Sequence, residues 1–191
     1  VDDAVAGKLG GAEAIRSDFG NRSLHETQLL ELFPSFEAIG HARHHLKSWM
    51  RPERRAVSMW FLPGRARVLH QPLGVVGVIV PWNYPLLLAV GPLVAALAAG
   101  NRVMVKMSEF TPAMSDLFAR LAAKYFSDDE VAVVQGDAQV AQAFALLPFG
   151  HLLAVAAVQQ LHAGNAHAAQ QHEQTCQHQR TQLARAHTGL C

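Results

Sequence analysis

Val75-Val76-Gly77-Val78-Ile79-Val80, the turn Pro81-Trp82-Asn83-Tyr84-Pro85, the Leu/Ala-rich stretch from Leu86 to Ala99, and Arg102-Val103-Met104-Val105-Lys106 together decide the fold of this chain. The first run is rich in β-branched residues and apolar on both faces, as a strand covered on both sides of a parallel sheet must be. The stretch after Pro85 predicts a buried helix, since proline is tolerated where a helix begins and Gly100 supplies a stop signal just beyond its end. Arg102 to Lys106 is the next strand. Strand, helix and strand at this spacing predict a right-handed crossover and therefore parallel pairing. The alternation continues downstream. Thr111 as cap and Pro112 at the first position open a helix to about Phe126, Val131 to Val134 is a short strand, Asp137 caps a helix to about Leu147, and His151 to Leu153 starts a further strand. The expected class is α/β, with a mostly parallel sheet covered on both faces by helices and preceded by further helices.

Upstream, Ala4 to Ser17 is compatible with a helix, ended by Asp18-Phe19-Gly20-Asn21 with Gly20 left-handed. Thr27 to Met50 reads as a longer helix, with apolar residues at three and four spacing and Pro34 bending or dividing it. His41 and His45 share a face of this helix. With no third ligand nearby, a solvated face is favoured over a metal pair. Arg51-Pro52-Glu53-Arg54-Arg55 reads as a solvated turn, Arg65 to Gln71 as β-tolerant, and Pro72-Leu73-Gly74 as a turn.

Of the 191 residues, 50% are hydrophobic and 16% charged, enough apolar material for a real core. A formal net charge of +1 gives no footprint for nucleic acid. No charged residue occurs between Gln71 and Arg102, but Pro81, Asn83, Pro85 and Pro92 interrupt that run, so no membrane span is expected. The two cysteines, Cys176 and Cys191, form no paired spacing, which points to a reducing cytoplasm rather than a disulfide framework. The chain begins at Val1 with acid close behind, and reads as a piece whose true start lies elsewhere. After Leu153 the composition turns abruptly to Ala, Gln and His. Residues 1–153 therefore read as one partial domain. Residues 154–191 read as a disordered or out-of-frame tail, with histidines spaced too widely to align as metal ligands.

Pro81-Trp82-Asn83-Tyr84-Pro85, Gly91-Pro92-Leu93, Ala98-Ala99-Gly100-Asn101, Lys106-Met107-Ser108-Glu109 and Thr111-Pro112, in this order, resemble the aldehyde dehydrogenase superfamily. The resemblance continues through Gly136-Asp137 and Leu147-Pro148-Phe149-Gly150-His151-Leu152-Leu153, where the family usually has Asp in place of Gly150. Ser17-Asp18-Phe19-Gly20-Asn21-Arg22-Ser23 and Lys47-Ser48-Trp49-Met50 are similar to the bacterial coniferyl aldehyde dehydrogenase branch.

The resemblance implies an incomplete Rossmann-like coenzyme-binding domain and NAD(P)-dependent oxidation of an aldehyde to its acid, with coniferyl or another aromatic aldehyde as the candidate substrate. It implies that Asn83 donates its side-chain amide to the oxyanion of the tetrahedral intermediate, a role in which a neutral, pre-aimed donor can be worth about 3 to 4 kcal/mol. Lys106 and Glu109 correspond to the residues that grip the adenosine ribose, with Ser108 between them in the cofactor-binding loop, and Trp82 to a side chain beside the cofactor and substrate pocket. A carboxylate at Glu109 favours NAD over NADP, which remains the second choice. Taken alone, Lys106 and Glu109 would form an exposed ion pair of little energetic worth. Met107 stands where the family frequently has Pro, which predicts a less rigid loop. The partner implied is a small-molecule aldehyde, and the family is usually homo-oligomeric.

Several of the family's features do not appear. Ala154-Val155-Ala156-Ala157 stands where a Gly-containing turn approaches the cofactor phosphates, and neither the Glu-Leu-Gly-Gly base motif nor the Gly-Gln-Cys nucleophile motif occurs. No metal site is expected. The chain alone is expected to be inactive, and the alternative is a non-catalytic nucleotide-binding remnant or an interaction module with a His-rich tail.

Overall fold

A computed structural model describes the backbone of residues 2–155 and side chains from residue 10, so Cys176, Cys191 and nearly all of the predicted tail lie outside the described residues. Helix α1 (Asp2–Phe19) is followed by a short α2 (Leu24–Thr27), a π turn (Gln28–Leu32) and α3 (Phe33–Trp49). Next come strands β1 (Glu53–Arg55) and β2 (Ala66–Val68), which pair antiparallel. The alternating part comprises β3 (Val75–Ile79), α4 (Pro85–Ala98), β4 (Arg102–Lys106), α5 (Pro112–Tyr125), β5 (Val131–Val134), α6 (Ala138–Ala145) and β6 (His151–Ala154). Its strands form one four-stranded sheet in the order β5-β4-β3-β6. All three pairings are parallel, with Val76 opposite both Val103 and His151 and Val103 opposite Val131. The α/β expectation is met, and each strand from β3 to β6 falls within a residue or two of its sequence reading.

The core lies where the central strands meet the helices. Val78 and Val105 are fully buried among Ala89 and Leu93 of α4, Met114 and Phe118 of α5, and Ile15 of α1. β6 lies at one end of the strand order and is exposed along its length. The loop entering it packs tightly. A Cβ on Gly77 would lie 2.7 Å from the Phe149 ring, and one on Gly150 would collide with the Leu73 carbonyl oxygen. At position 150, then, this backbone has room for Gly and not for the Asp usual in the family.

Several local expectations are corrected. The helical run around Pro34 starts at Leu24 rather than Thr27, and it changes from α to π and back just before the proline. Proline removes an N–H and crowds the carbonyl four residues back, and the π turn Gln28–Leu32 is the widened turn that accommodates it. Glu53–Arg55, read as a turn, is a short exposed strand. Thr111 holds the N-cap position of α5, as expected, but its side chain makes no capping bond, since its buried hydroxyl is turned back toward the Ser108 carbonyl. Asp18, at the end of α1, caps α5 instead, accepting from the N–H groups of Ala113 and Met114 at 2.9 Å each. The Asp137 cap of α6 is as expected, accepting from Gln139 and Val140 at 3.0 and 3.1 Å.

Asn101 staples the crossover. Its side-chain oxygen accepts from the N–H groups of Leu73 (2.6 Å) and Gly74 (3.1 Å), and its amide donates to the Ala96 carbonyl (3.2 Å), joining the end of α4 to the start of β3. Gly100, at φ 79°, makes the left-handed turn that brings Asn101 there. Asn101→Ala leaves the Leu73 and Gly74 N–H groups without this partner, while the Ala96 carbonyl keeps the Asn101 backbone N–H, and we expect urea unfolding to show a loss of about 2 kcal/mol. A change below about 0.5 kcal/mol would mean that water replaces the staple without cost.

Among the described residues no helix is long and apolar enough to cross a membrane, and α4 has only 14 residues. His41, His45 and Trp49 stack along α3, and no cluster able to hold a metal occurs among the described residues.

Candidate active site at the carboxyl edge of the sheet

The two informative loops leave neighbouring strands at the same end of the sheet. Ile79 at the end of β3 lies opposite Lys106 at the end of β4, and the Val80 N–H donates to the Lys106 carbonyl at 2.9 Å. Parallel α/β sheets bind ligands at this carboxyl edge.

After β3 the chain turns through Pro81-Trp82-Asn83-Tyr84 into α4. Trp82 is 41% exposed, with its ring 6.1 Å from that of Phe19, so it is a surface side chain beside the loop. Asn83 is partly buried. Its side-chain oxygen is buried without a hydrogen-bond partner, and its backbone carbonyl accepts from Arg22 Nη1 at 3.0 Å. Asn83, Tyr84, Phe19, Asn21, Arg22 and Glu26 line a cavity of about 380 Å³. A larger groove of about 1130 Å³ runs between α3 and α4 and reaches Pro72 and Gly100, at the opposite, amino end of the strands. Its position argues against a role in the chemistry of the Asn83 loop.

After β4, Lys106 is only 2% exposed; Nζ donates to the Met107 carbonyl at 2.7 Å and lies 3.7 Å from Glu109 Oε2. The lysine half of the pair is therefore buried, and the exposed ion pair expected from spacing alone is not what forms. Glu109 keeps its carboxylate at the surface. Ser108 is buried; its hydroxyl accepts from the Phe110 N–H at 3.3 Å and its carbonyl from Ser115 Oγ at 3.2 Å, bonds that shape the loop. Met107 is fully buried and its N–H donates to the Val134 carbonyl at 3.0 Å. Proline could not make that bond. The loop is thus tied to β5 by a bond that a proline at this position would lack. Lys106, Ser108 and Glu109 share one loop and Trp82 and Asn83 the adjacent one, although the cavity beside Asn83 is not lined by Lys106, Ser108 or Glu109.

A family model described as the aldehyde dehydrogenase family matches residues 25–157. The chain belongs to that family. It is 58% identical over 141 residues to a probable coniferyl aldehyde dehydrogenase of Pseudomonas aeruginosa, covering 74% of this chain and 30% of that protein. Among solved structures, the substrate-bound Staphylococcus aureus AldH superimposes with a TM-score of 0.67 at 27% identity, over 77% of this chain and 34% of that one. A Mycobacterium tuberculosis aldehyde dehydrogenase complexed with NAD+ gives 0.57 at 26% identity, over 75% and 31%. This chain spans about a third or less of the length of the curated relatives it matches most strongly.

In this member of the family, the acid beneath Asn83 belongs to none of the motifs that mark it. Glu31 is fully buried, and its Oε2 accepts from the first free N–H groups of α4, Leu86 at 2.8 Å and Leu87 at 3.4 Å. Its Oε1 lies 3.0 Å from Arg22 Nη1. The available signal was a lone acid inside the apolar run Leu29-Leu30-Glu31-Leu32-Phe33. Burial raises the Glu31 carboxyl above its ordinary value of 4.5, and Glu26 raises it further, against the lowering effects of the α4 amides and Arg22. A carboxyl that holds its proton more tightly when folded adds stability that is complete below the unfolded value and is lost as pH rises through the folded one. Unfolding free energies across pH 4 to 8 should therefore fall more steeply with pH for the parent chain than for Glu31→Gln. Parallel curves would contradict the raised carboxyl.

Proposed function

We propose that this sequence serves NAD-dependent oxidation of an aldehyde to its carboxylic acid, and that it contributes the oxyanion donor and the ribose grip. One observation carries the reading: the Asn83 loop and the Lys106–Glu109 loop leave paired, parallel strands at the carboxyl edge of one sheet. Asn83 offers a neutral amide donor, which stabilises a developing alkoxide without the cost of a buried charge. Lys106 has three donors, of which the Met107 carbonyl takes one, and Glu109 is an exposed acceptor. That set fits the two hydroxyls of a ribose, one group donating and the other accepting. The Glu109 carboxylate favours NAD, because it would repel the 2′-phosphate of NADP. When bound, the nicotinamide accepts the hydride that the substrate gives up.

An aromatic aldehyde of the coniferyl type is the favoured substrate, supported by the identity to the Pseudomonas aeruginosa relative. The chemistry also needs a thiolate nucleophile and a base. The sequence holds neither the Gly-Gln-Cys nor the Glu-Leu-Gly-Gly motif, so the 191-residue chain should bind nucleotide without turnover. Calorimetry with NAD and absorbance of reduced nicotinamide in the presence of coniferyl aldehyde test both halves. Binding without absorbance is expected. Absence of NAD binding would overturn the cofactor reading, and turnover abolished by a thiol-blocking reagent would overturn the expectation of inactivity.

A further inference from the structure

We infer that Arg22 and Glu31 are positioning residues for Asn83, a buried ion pair that fixes the Asn83 carbonyl and the start of α4 as one unit. The inference rests on the reading of Asn83 as the oxyanion donor. Both side chains are withdrawn from water, Arg22 to 7% exposure and Glu31 to none. Burying such a pair costs desolvation free energy that apolar residues would not incur, so the pair is poorly explained as a stabilising contact. Its connections suit alignment. Arg22 Nη1 lies 3.0 Å from Glu31 Oε1 and 3.0 Å from the Asn83 carbonyl oxygen, and the other Glu31 oxygen holds the Leu86 and Leu87 amides. The guanidinium also sits 4.8 Å from the Tyr84 ring centre and 5.0 Å from that of Phe19, so it meets both the residue after Asn83 and the end of α1.

Asn83 itself has little else to hold it. Its side-chain oxygen takes no hydrogen bond, so the direction of its amide is set by the backbone to which it is attached. That backbone is anchored through Arg22. The same nitrogen that donates to the Asn83 carbonyl faces Glu31 Oε1 as a charge contact without a hydrogen bond, and a rigid planar guanidinium can keep both in place where an ammonium on a flexible stem would follow one of them. Arg22 Nε also lies 3.6 Å from Glu26 Oε1, beyond hydrogen-bonding distance.

The test uses the whole 191-residue chain, isotope-labelled, with single-residue amide exchange and the Asn83 side-chain amide signals read by NMR. In Arg22→Met, exchange at Leu86 and Leu87 should accelerate about tenfold or more, and the Asn83 side-chain signals should shift. Ala113 and Met114, capped by Asp18, and Val103, bonded across β4 and β5, should keep the parent's protection. Arg22→Lys should restore protection at Leu86 and Leu87, because Glu31 keeps a cation, while the Asn83 signals stay shifted. A uniform loss at all these amides, or Asn83 signals that match the parent in either variant, would overturn the inference. Should Arg22→Met fail to fold, Arg22→Lys decides by the same signals. NAD affinity measured on the same samples separates the two readings: loss of Asn83 order with NAD binding retained supports the inference. Absence of NAD binding even in the parent counts against the proposed function alone.

Discussion

Asn83→Ala, introduced into a complete enzyme that carries this segment, is expected to lower kcat by about 100- to 1,000-fold while leaving NAD affinity unchanged. The asymmetry follows from where the residue stands. Asn83 belongs to the loop after β3, and the ribose-binding candidates belong to the loop after β4, so deleting the amide leaves the nucleotide contacts in place. An oxyanion exists only after the nucleophile has attacked. A donor aimed at it therefore contributes to the transition state and little to the bound substrate. Asn83→Asp should be at least as damaging, because a carboxylate of the same shape would repel the developing alkoxide. Steady-state kinetics decide the matter. A kcat within about tenfold of the parent, or an effect confined to KM, would make Asn83 a turn residue and nothing more.

Lys106→Met should lower affinity for NAD by about 10- to 100-fold and leave unfolding free energy within about 1 kcal/mol of the parent. Two effects oppose each other in the folded chain. Replacing a buried ammonium by a thioether of similar length relieves desolvation, while the Met107 carbonyl loses its 2.7 Å bond. Glu109 is exposed and can be solvated when its partner goes. For the ligand nothing compensates, since a thioether cannot donate to a ribose hydroxyl. A residue whose removal costs binding but not stability is retained for binding. If Lys106→Met destabilised the chain by several kcal/mol and left affinity unchanged, the lysine would be structural.

The alternating half of the molecule was legible because each signal there is local. A β-branched run, a proline at a helix start and a glycine beyond its end fix β3, α4 and β4 within a residue or two. Asn83, Lys106 and Glu109 could be placed at strand ends for the same reason. What escaped depends on contacts between distant segments. Asp18 supplies the capping bonds of α5 in place of the Thr111 side chain across some ninety residues of chain, and Glu31 caps α4 across more than fifty. Neither can be seen by scanning residues next to the helix it serves. The burial of Lys106 was missed in the same way: the spacing of Lys106 and Glu109 says that they can meet, and only the packed sheet says that one of them is shut away from water. At Pro34 the ambiguity was of outcome, since a proline inside a helical pattern can break it or be absorbed by a wider turn. At Met107 the N–H makes a bond to β5 that the family motif does not advertise.

The three tryptophans offer the most direct measurement of the central proposition, that the Asn83 loop and the Lys106–Glu109 loop frame one nucleotide site. Their indole N–H signals report on separate places: Trp82 beside Asn83, Trp49 in the groove between α3 and α4, and Trp60 on the surface. Titration of NAD into the labelled chain is predicted to shift the Trp82 indole together with the Lys106 to Glu109 amides, leaving Trp49 and Trp60 in place. A titration that moves Trp49 while Trp82 and the Lys106 loop stay still would put the nucleotide in the other groove and contradict the site.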